Sequence, residues 1–321
     1  MKSFFALAIM MTASTWIGLA EHSIQLNAEV KIVWATKSEA TLLLATPDTF
    51  TNQLSPFDRA IRMKRKENHT EPDFLSYVSQ QALEWKQTEV DWFREAIKRI
   101  QPKLASLTLP LPERILLIKT TGQDEPAPYT RQNAIILPKN VIASARKPDG
   151  LLAHELFHVL SRNAPPMLRS KLYGILGFTP CGKIELPKSL QSRRITNPDS
   201  PSYDHFIQVR HQDQEKAVIP ILISKTSDYD PNSNTPFFSY LEQRLLVVEK
   251  QSEHWIPKLT EGLATVLKFD DVDGFYEQIG GKRYSVFQPE EILARHFTSL
   301  IMATEIPKDE PIVSKLQGHL K

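Results

Sequence analysis

The stretch His154-Glu155-Leu156-Phe157-His158 constrains this chain more than any other. On a helix, residues i and i+4 stand one above the other on one face, roughly 6 Å apart, so both imidazoles can reach one metal ion at about 2.1 Å each. The glutamate between them supplies a base. This geometry holds only on a helix, and the flanking residues predict one. Asp149 suits an N-cap, residues 150–162 contain no proline, and Asn163-Ala164-Pro165-Pro166 ends the run. Leu152, Leu156, Val159 and Leu160 form an apolar stripe beside the histidine face, so one side is expected to enter a core while the other borders a cleft. The competing reading is a core helix whose histidines only hydrogen-bond.

A catalytic zinc takes three protein ligands and keeps a position for water. The extended metzincin pattern would need glycine where Ser161 stands and histidine where Ala164 stands, so it is absent. Far downstream, Gln288-Pro289-Glu290-Glu291-Ile292-Leu293-Ala294-Arg295-His296-Phe297 again reads as a helix, with Pro289 suited to the first turn. A glutamate there can face the first helix. Glu290 and Glu291 are the two candidates for the third ligand.

Taken together, the HELFH motif and Glu291 followed by Ala294 resemble the gluzincin class of zinc metallopeptidases, in which a later helix with an E-x-x-A signature completes the site. The small alanine suits helices that must approach closely enough to share one ion. The resemblance covers these motifs and the general order of elements, and it implies a zinc ion held by His154, His158 and Glu291. It further implies hydrolysis in which Glu155 takes a proton from the attacking water and passes it to the leaving amine. Tyr284 lies seven residues before Glu291, an offset similar to that of the transition-state tyrosine in the anthrax lethal factor type of gluzincin; an oxyanion-donor role is implied, beside the plainer reading of a strand tyrosine packing on its ring. One departure concerns Arg295, which stands where many gluzincins place an aspartate that orients a zinc histidine. Arginine cannot accept an imidazole N–H, so a carbonyl or another carboxylate must do so, or the metal is held less firmly. His296 is a neighbouring candidate for such support.

The apolar, uncharged run from Phe4 to Ala20 follows Lys2 and reads as a signal peptide over residues 1–20, with Gly18 and Ala20 as the small residues before a cleavage point. An uncleaved anchor is the alternative. Export to the periplasm or outside the cell follows, with no stable membrane span after cleavage. The 39 Lys+Arg against 37 Asp+Glu leave a nearly balanced mature chain, which offers no electrostatic case for nucleic acid. The run Arg62-Met63-Lys64-Arg65-Lys66 is short and reads as a solvated loop. Cys181 is the only cysteine, so no internal disulfide is possible.

Along the chain, residues 21–110 read as an N-terminal accessory α/β region. Residues 28–34 and 40–45 alternate like short strands, and residues 73–104 suit one or two amphipathic helices. Residues 111–321 read as the catalytic region. Strands are expected at 114–119 and 133–137, and Ala134-Ile135-Ile136-Leu137 is the candidate edge strand for an extended substrate, unless it is a buried central strand of the same composition. An insertion over residues 165–287 contains a possible hairpin at 205–224, and its Arg193, Arg194, Asn197 and Asp199 either bind substrate or pin the loop. The expected fold is α+β: a zincin-like mixed sheet packed on the HExxH helix, with a C-terminal helix supplying the third ligand. The expected function is an exported zinc metallopeptidase acting on a peptide or protein. A zinc hydrolase of another amide or ester, and a catalytically weak binding protein on the same frame, are the alternatives.

Overall fold

The structure is a computed structural model that describes residues 22–66, 69–144, 147–282, 287–304 and 310–321. Its core begins with β4 (Arg114–Thr120) and β6 (Ala134–Pro138), which run parallel, as do β2 (Lys31–Trp34) and β4. β1 (Ser23–Gln25) and β5 (Tyr129–Arg131) close the two sides antiparallel, giving the order β1-β2-β4-β6-β5, while β3 (Ala82–Leu83) pairs with the far end of β4. The near-continuous apolar runs of β4 and β6 are explained by burial on both faces. The twofold alternation of side chains splits them: Ile115, Leu117, Ile135 and Leu137 join one core, and Leu116, Ile118, Ala134 and Ile136 join another.

The first of these cores is roofed by the histidine helix, Asp149–Asn163. Leu152, Leu156, Val159 and Leu160, the expected stripe, are all buried there, each contributing about 1.5–3 kcal/mol of transfer free energy. Asp149 is the first helical residue rather than the N-cap, which is Pro148, and its carboxylate is held by Arg99 at 2.6 and 2.9 Å. The glutamate helix, Pro289–Met302, lies against the histidine helix, with Phe157 and Phe297 rings 5.6 Å apart and Ala294 fully buried. The long helix Gln87–Leu104 and the C-terminal helix Pro311–Leu320 add Phe93, Ile97, Leu316 and Leu320 to the same core.

Residues 165–287 carry a second, antiparallel sheet. Its order is β11-β10-β9-β8-β7, with β7 at Phe178–Pro180, β8 at His205–His211, β9 at Gln214–Ser224, β10 at Leu241–Gln251 and β11 at His254–Pro257. The hairpin expected at 205–224 is β8–β9, turning through Gln212 and Asp213, both at positive φ (50° and 59°), as a tight turn matching the strand twist requires. The chain is thus α+β, and among the described residues no helix is long and apolar enough to cross a membrane.

Some expectations need correction. Of residues 40–45, 40–44 are helical, within Lys37–Leu44, and Ala45 is the C-cap, because Thr36 and Glu39 form a reciprocal capping box: Glu39 N–H donates to Thr36 Oγ1 at 3.2 Å and Thr36 N–H to Glu39 Oε2 at 3.0 Å. Ala134–Leu137 is not the edge, since β6 is paired on both sides; the outer strand is β5. Arg62 is not in a solvated loop. It sits in the helix Pro56–Met63, 2% exposed, bridging Asp58 and Glu125. The strands β1 to β3, from residues 21–110, belong to the same sheet as β4, β5 and β6.

Candidate metal centre

The helical spacing delivers what it promises for the two histidines. The rings of His154 and His158 are 4.7 Å apart, and Glu291 reaches them from the glutamate helix, its Oε2 lying 3.4 Å from His154 Nε2 and 3.9 Å from His158 Nε2. One ligand atom from each of the three residues lies within 4.8 Å of the others. A tetrahedral ion with bonds of about 2.1 Å separates its ligands by about 3.4 Å, so modest tightening would complete the set. The donor chemistry also suits a metal. His158 is fully buried, yet its Nε2 has no hydrogen-bond partner in the protein, a cost that a bound ion removes.

His158 is aimed by its other nitrogen. Nδ1 lies 3.0 Å from Glu290 Oε1, and the second oxygen of Glu290 accepts from Ser161 Oγ at 2.7 Å and from the Tyr173 hydroxyl. Glu290 is 2% exposed, so its oxygens are satisfied by these partners rather than by water. This carboxylate does the job that Arg295 cannot. Arg295 is exposed, and His296 turns instead to the Ile279 carbonyl at 3.3 Å. Neighbouring residues on a helix diverge by about 100°, which is why Glu290 and Glu291 approach His158 from different sides.

Glu155 is 4% exposed, and its Oε2 also lacks a hydrogen-bond partner. Burial, reinforced by the carboxylate of Asp199, pushes its pKa well above the usual carboxylate range. Asp199 is fixed by β5: its Oδ1 accepts from the Thr130 N–H at 2.7 Å and from Thr130 Oγ1 at 2.6 Å. It also approaches Glu155 and His158, with one oxygen or nitrogen of each within 4.8 Å. Asn197 donates to Glu291 Oε1 at 2.7 Å and to Gln288 Oε1 at 3.0 Å, which leaves Glu291 Oε2 toward the histidines.

The electrostatics follow from this crowding of carboxylates. Burial disfavours the His158 imidazolium, but Asp199, Glu291 and Glu290 outweigh it and push its pKa up to about 10. Burial likewise opposes the Glu291 carboxylate, yet His158, His154 and the Asn197 hydrogen bond hold its pKa down at about 2. Asp199 is raised, chiefly by burial and also by Glu291. The surplus of negative charge is what a divalent cation would neutralise.

A cavity of about 370 Å³ opens beside His154, Glu155 and Glu291. Asn197 and Asp199 line it, whereas the arginines of the same loop pin the chain. Arg193 donates to the Ser224 carbonyl, and Arg194, 2% exposed, donates to Gln53 and the Pro201 carbonyl while stacking 4.6 Å over Tyr203. Tyr284 lies outside the described residues. Burial pushes the Cys181 thiol up to about 12, which leaves it a poor nucleophile. The roles of Glu290, Tyr173 and Asn197 escaped the sequence reading; the Glu290-Glu291 pair was the one available signal, because two adjacent carboxylates on a buried helix face need two separate partners. No family model, curated protein or solved structure matches the chain.

Proposed function

We propose that this chain is an exported zinc metallopeptidase of zincin-like, gluzincin-type architecture. The observation that carries the reading is the convergence of His154, His158 and Glu291 on one point, with a buried, unpartnered His158 Nε2 beside the unpartnered carboxylate oxygen of Glu155. Zinc held there would polarise a substrate carbonyl and acidify its water. Glu155, poised by burial for proton uptake, takes the proton from the attacking water and hands it to the leaving amine. Glu290 and Asn197 keep the ligands aimed, while Asp199 adds negative charge on the side of the base. Export rests on the apolar run Phe4 to Ala20.

A catalytically weak binding protein on the same frame is the less supported alternative, because Glu290 gives His158 the orienting contact that Arg295 cannot. The decisive experiment combines elemental analysis of the purified chain with cleavage of a mixed peptide pool. About one zinc per chain, with cleavage lost on chelation and restored by zinc, is expected. A chain that takes up no zinc when supplied with it would overturn the proposal, and a zinc-loaded chain that cleaves no peptide would redirect it to another amide or ester.

A further inference from the structure

The cavity beside the candidate metal centre is lined by unlike groups: His154, Glu155 and Glu291 on the one hand, and the apolar Leu222, Phe237, Phe238 and Leu241 on the other, with Arg62 and Glu125 also in the lining. Phe237 is anchored: its ring stacks on the Arg62 guanidinium at 5.2 Å, and it packs with Leu241 on the buried cluster of Phe57, Ile61, Ile195, Leu222 and Tyr240. Phe238 is different. It meets Phe237 edge-on at 5.3 Å but remains 55% exposed, a large aromatic lining the same cavity as His154, Glu155 and Glu291.

We infer that this apolar lining is the pocket for a bulky uncharged side chain, aromatic or branched aliphatic, next to the bond being cleaved, with Phe238 as its contacting face. The inference rests on the metallohydrolase reading above. The pocket is continuous with the point where a scissile carbonyl would be held, so its occupant is the neighbouring part of that same substrate. Apolar surface buried there is stabilised in proportion to area, and the exposed ring of Phe238 is the surface that gains. An acidic side chain is disfavoured because it would lose its hydration against the apolar part of the lining, while Arg62, which also lines the cavity, is already held by Asp58 and Glu125. The lining is preorganised, because Arg62 is fixed and Phe237 is packed against it, so little ordering is needed on binding.

The test uses the zinc-loaded full mature chain and three hydroxamates measured by calorimetry: acetohydroxamate, a benzyl-substituted succinyl hydroxamate, and its carboxymethyl counterpart. The benzyl compound is expected to bind on the order of tenfold or more tightly than the carboxymethyl compound. In Phe238→Ser that ratio is expected to fall toward one, whereas Phe238→Leu should keep most of it. Acetohydroxamate binding together with equal affinities for the two substituted compounds would overturn the pocket and leave the metal centre standing. Binding of none of the three, with no zinc retained, would overturn the metal reading and this inference with it.

Discussion

His158 Nδ1 lies 3.0 Å from Glu290 Oε1, and that contact turns the buried Nε2 of His158 toward Glu291 and His154. The imidazole is gripped on one side so that it can coordinate on the other, and the grip is itself braced by Ser161 and Tyr173. Two adjacent glutamates therefore take distinct parts: Glu291 faces the two histidines as a candidate ligand, and Glu290 holds His158 from its other nitrogen.

Substitution should separate those parts. Glu291→Ala removes a ligand and should abolish tight zinc binding. Glu290→Gln keeps shape but weakens the orienting contact and should cost about 10- to 100-fold in zinc affinity. Competition against a chelating dye measures both; equal losses in the two variants would contradict the division.

Glu155 is the base in the proposed mechanism and not a ligand. Glu155→Gln should therefore retain zinc and lose about 10²- to 10⁴-fold in the rate of peptide hydrolysis. Rates from the zinc-loaded variant decide the matter, and near wild-type turnover would remove Glu155 from the chemistry.

Protons and metal compete at His158. With its pKa raised from 6.5 to about 10, the imidazole of the metal-free folded chain is protonated at pH 7, and coordination requires it neutral. Zinc uptake at pH 7 should release at least one proton, and affinity should rise with pH by up to about tenfold per unit as far as the folded pKa. By the same linkage, the stabilising effect of the His158 proton on the metal-free fold is fully present below pH 6.5 and is lost as pH rises through about 10. Calorimetry of zinc binding in buffers of different ionisation enthalpy counts the protons; zero release would refute the charge state.

Arg62 also lines the cavity. It is buried between Asp58 and Glu125, and burial pushes Glu125 up to about 7 against the pull of that arginine. Arg62→Ala leaves both carboxylates unpaired and should destabilise the chain by about 3–5 kcal/mol, read as a lower urea midpoint. A change under about 0.5 kcal/mol, the scale of an ordinary surface substitution, would show that the network carries no load.

The helix pair depends on a small residue. Ala294 is fully buried on the glutamate helix, about one turn from Glu290 and Glu291, and Ala294→Leu should cost about 1–3 kcal/mol by overpacking. Zinc affinity should fall with it, because Glu291 is carried away from the histidines. Thermal unfolding with and without zinc measures both effects, and a neutral substitution would mean that close approach of the helices is not required.

Local order was legible wherever a period or a cap is written in neighbouring residues. The histidine helix follows from its apolar stripe and proline stop, and β8–β9 from two apolar runs around a turn. Misreadings arose where two local signals compete. Residues 40–45 are apolar enough for a strand, but the Thr36 and Glu39 cap decides for helix. Ala134–Leu137 has one composition whether edge or centre, and only the pairing of β5 outside it makes it central.

By itself, the sequence determined the spacing of His154, Glu155 and His158 on one helical face, since covalent geometry and 3.6 residues per turn set that spacing within a single element. Only the tertiary structure decided that Glu290 would serve His158, that Asn197 would hold Glu291 and that Asp199 would stand beside Glu155. Glu290 and His158 are 132 positions apart, and Asn197 and Glu291 are 94 apart. No repeat along the chain encodes such pairs; they exist because packing the apolar faces of the two helices and the loop brings these buried polar groups within hydrogen-bond reach of one another.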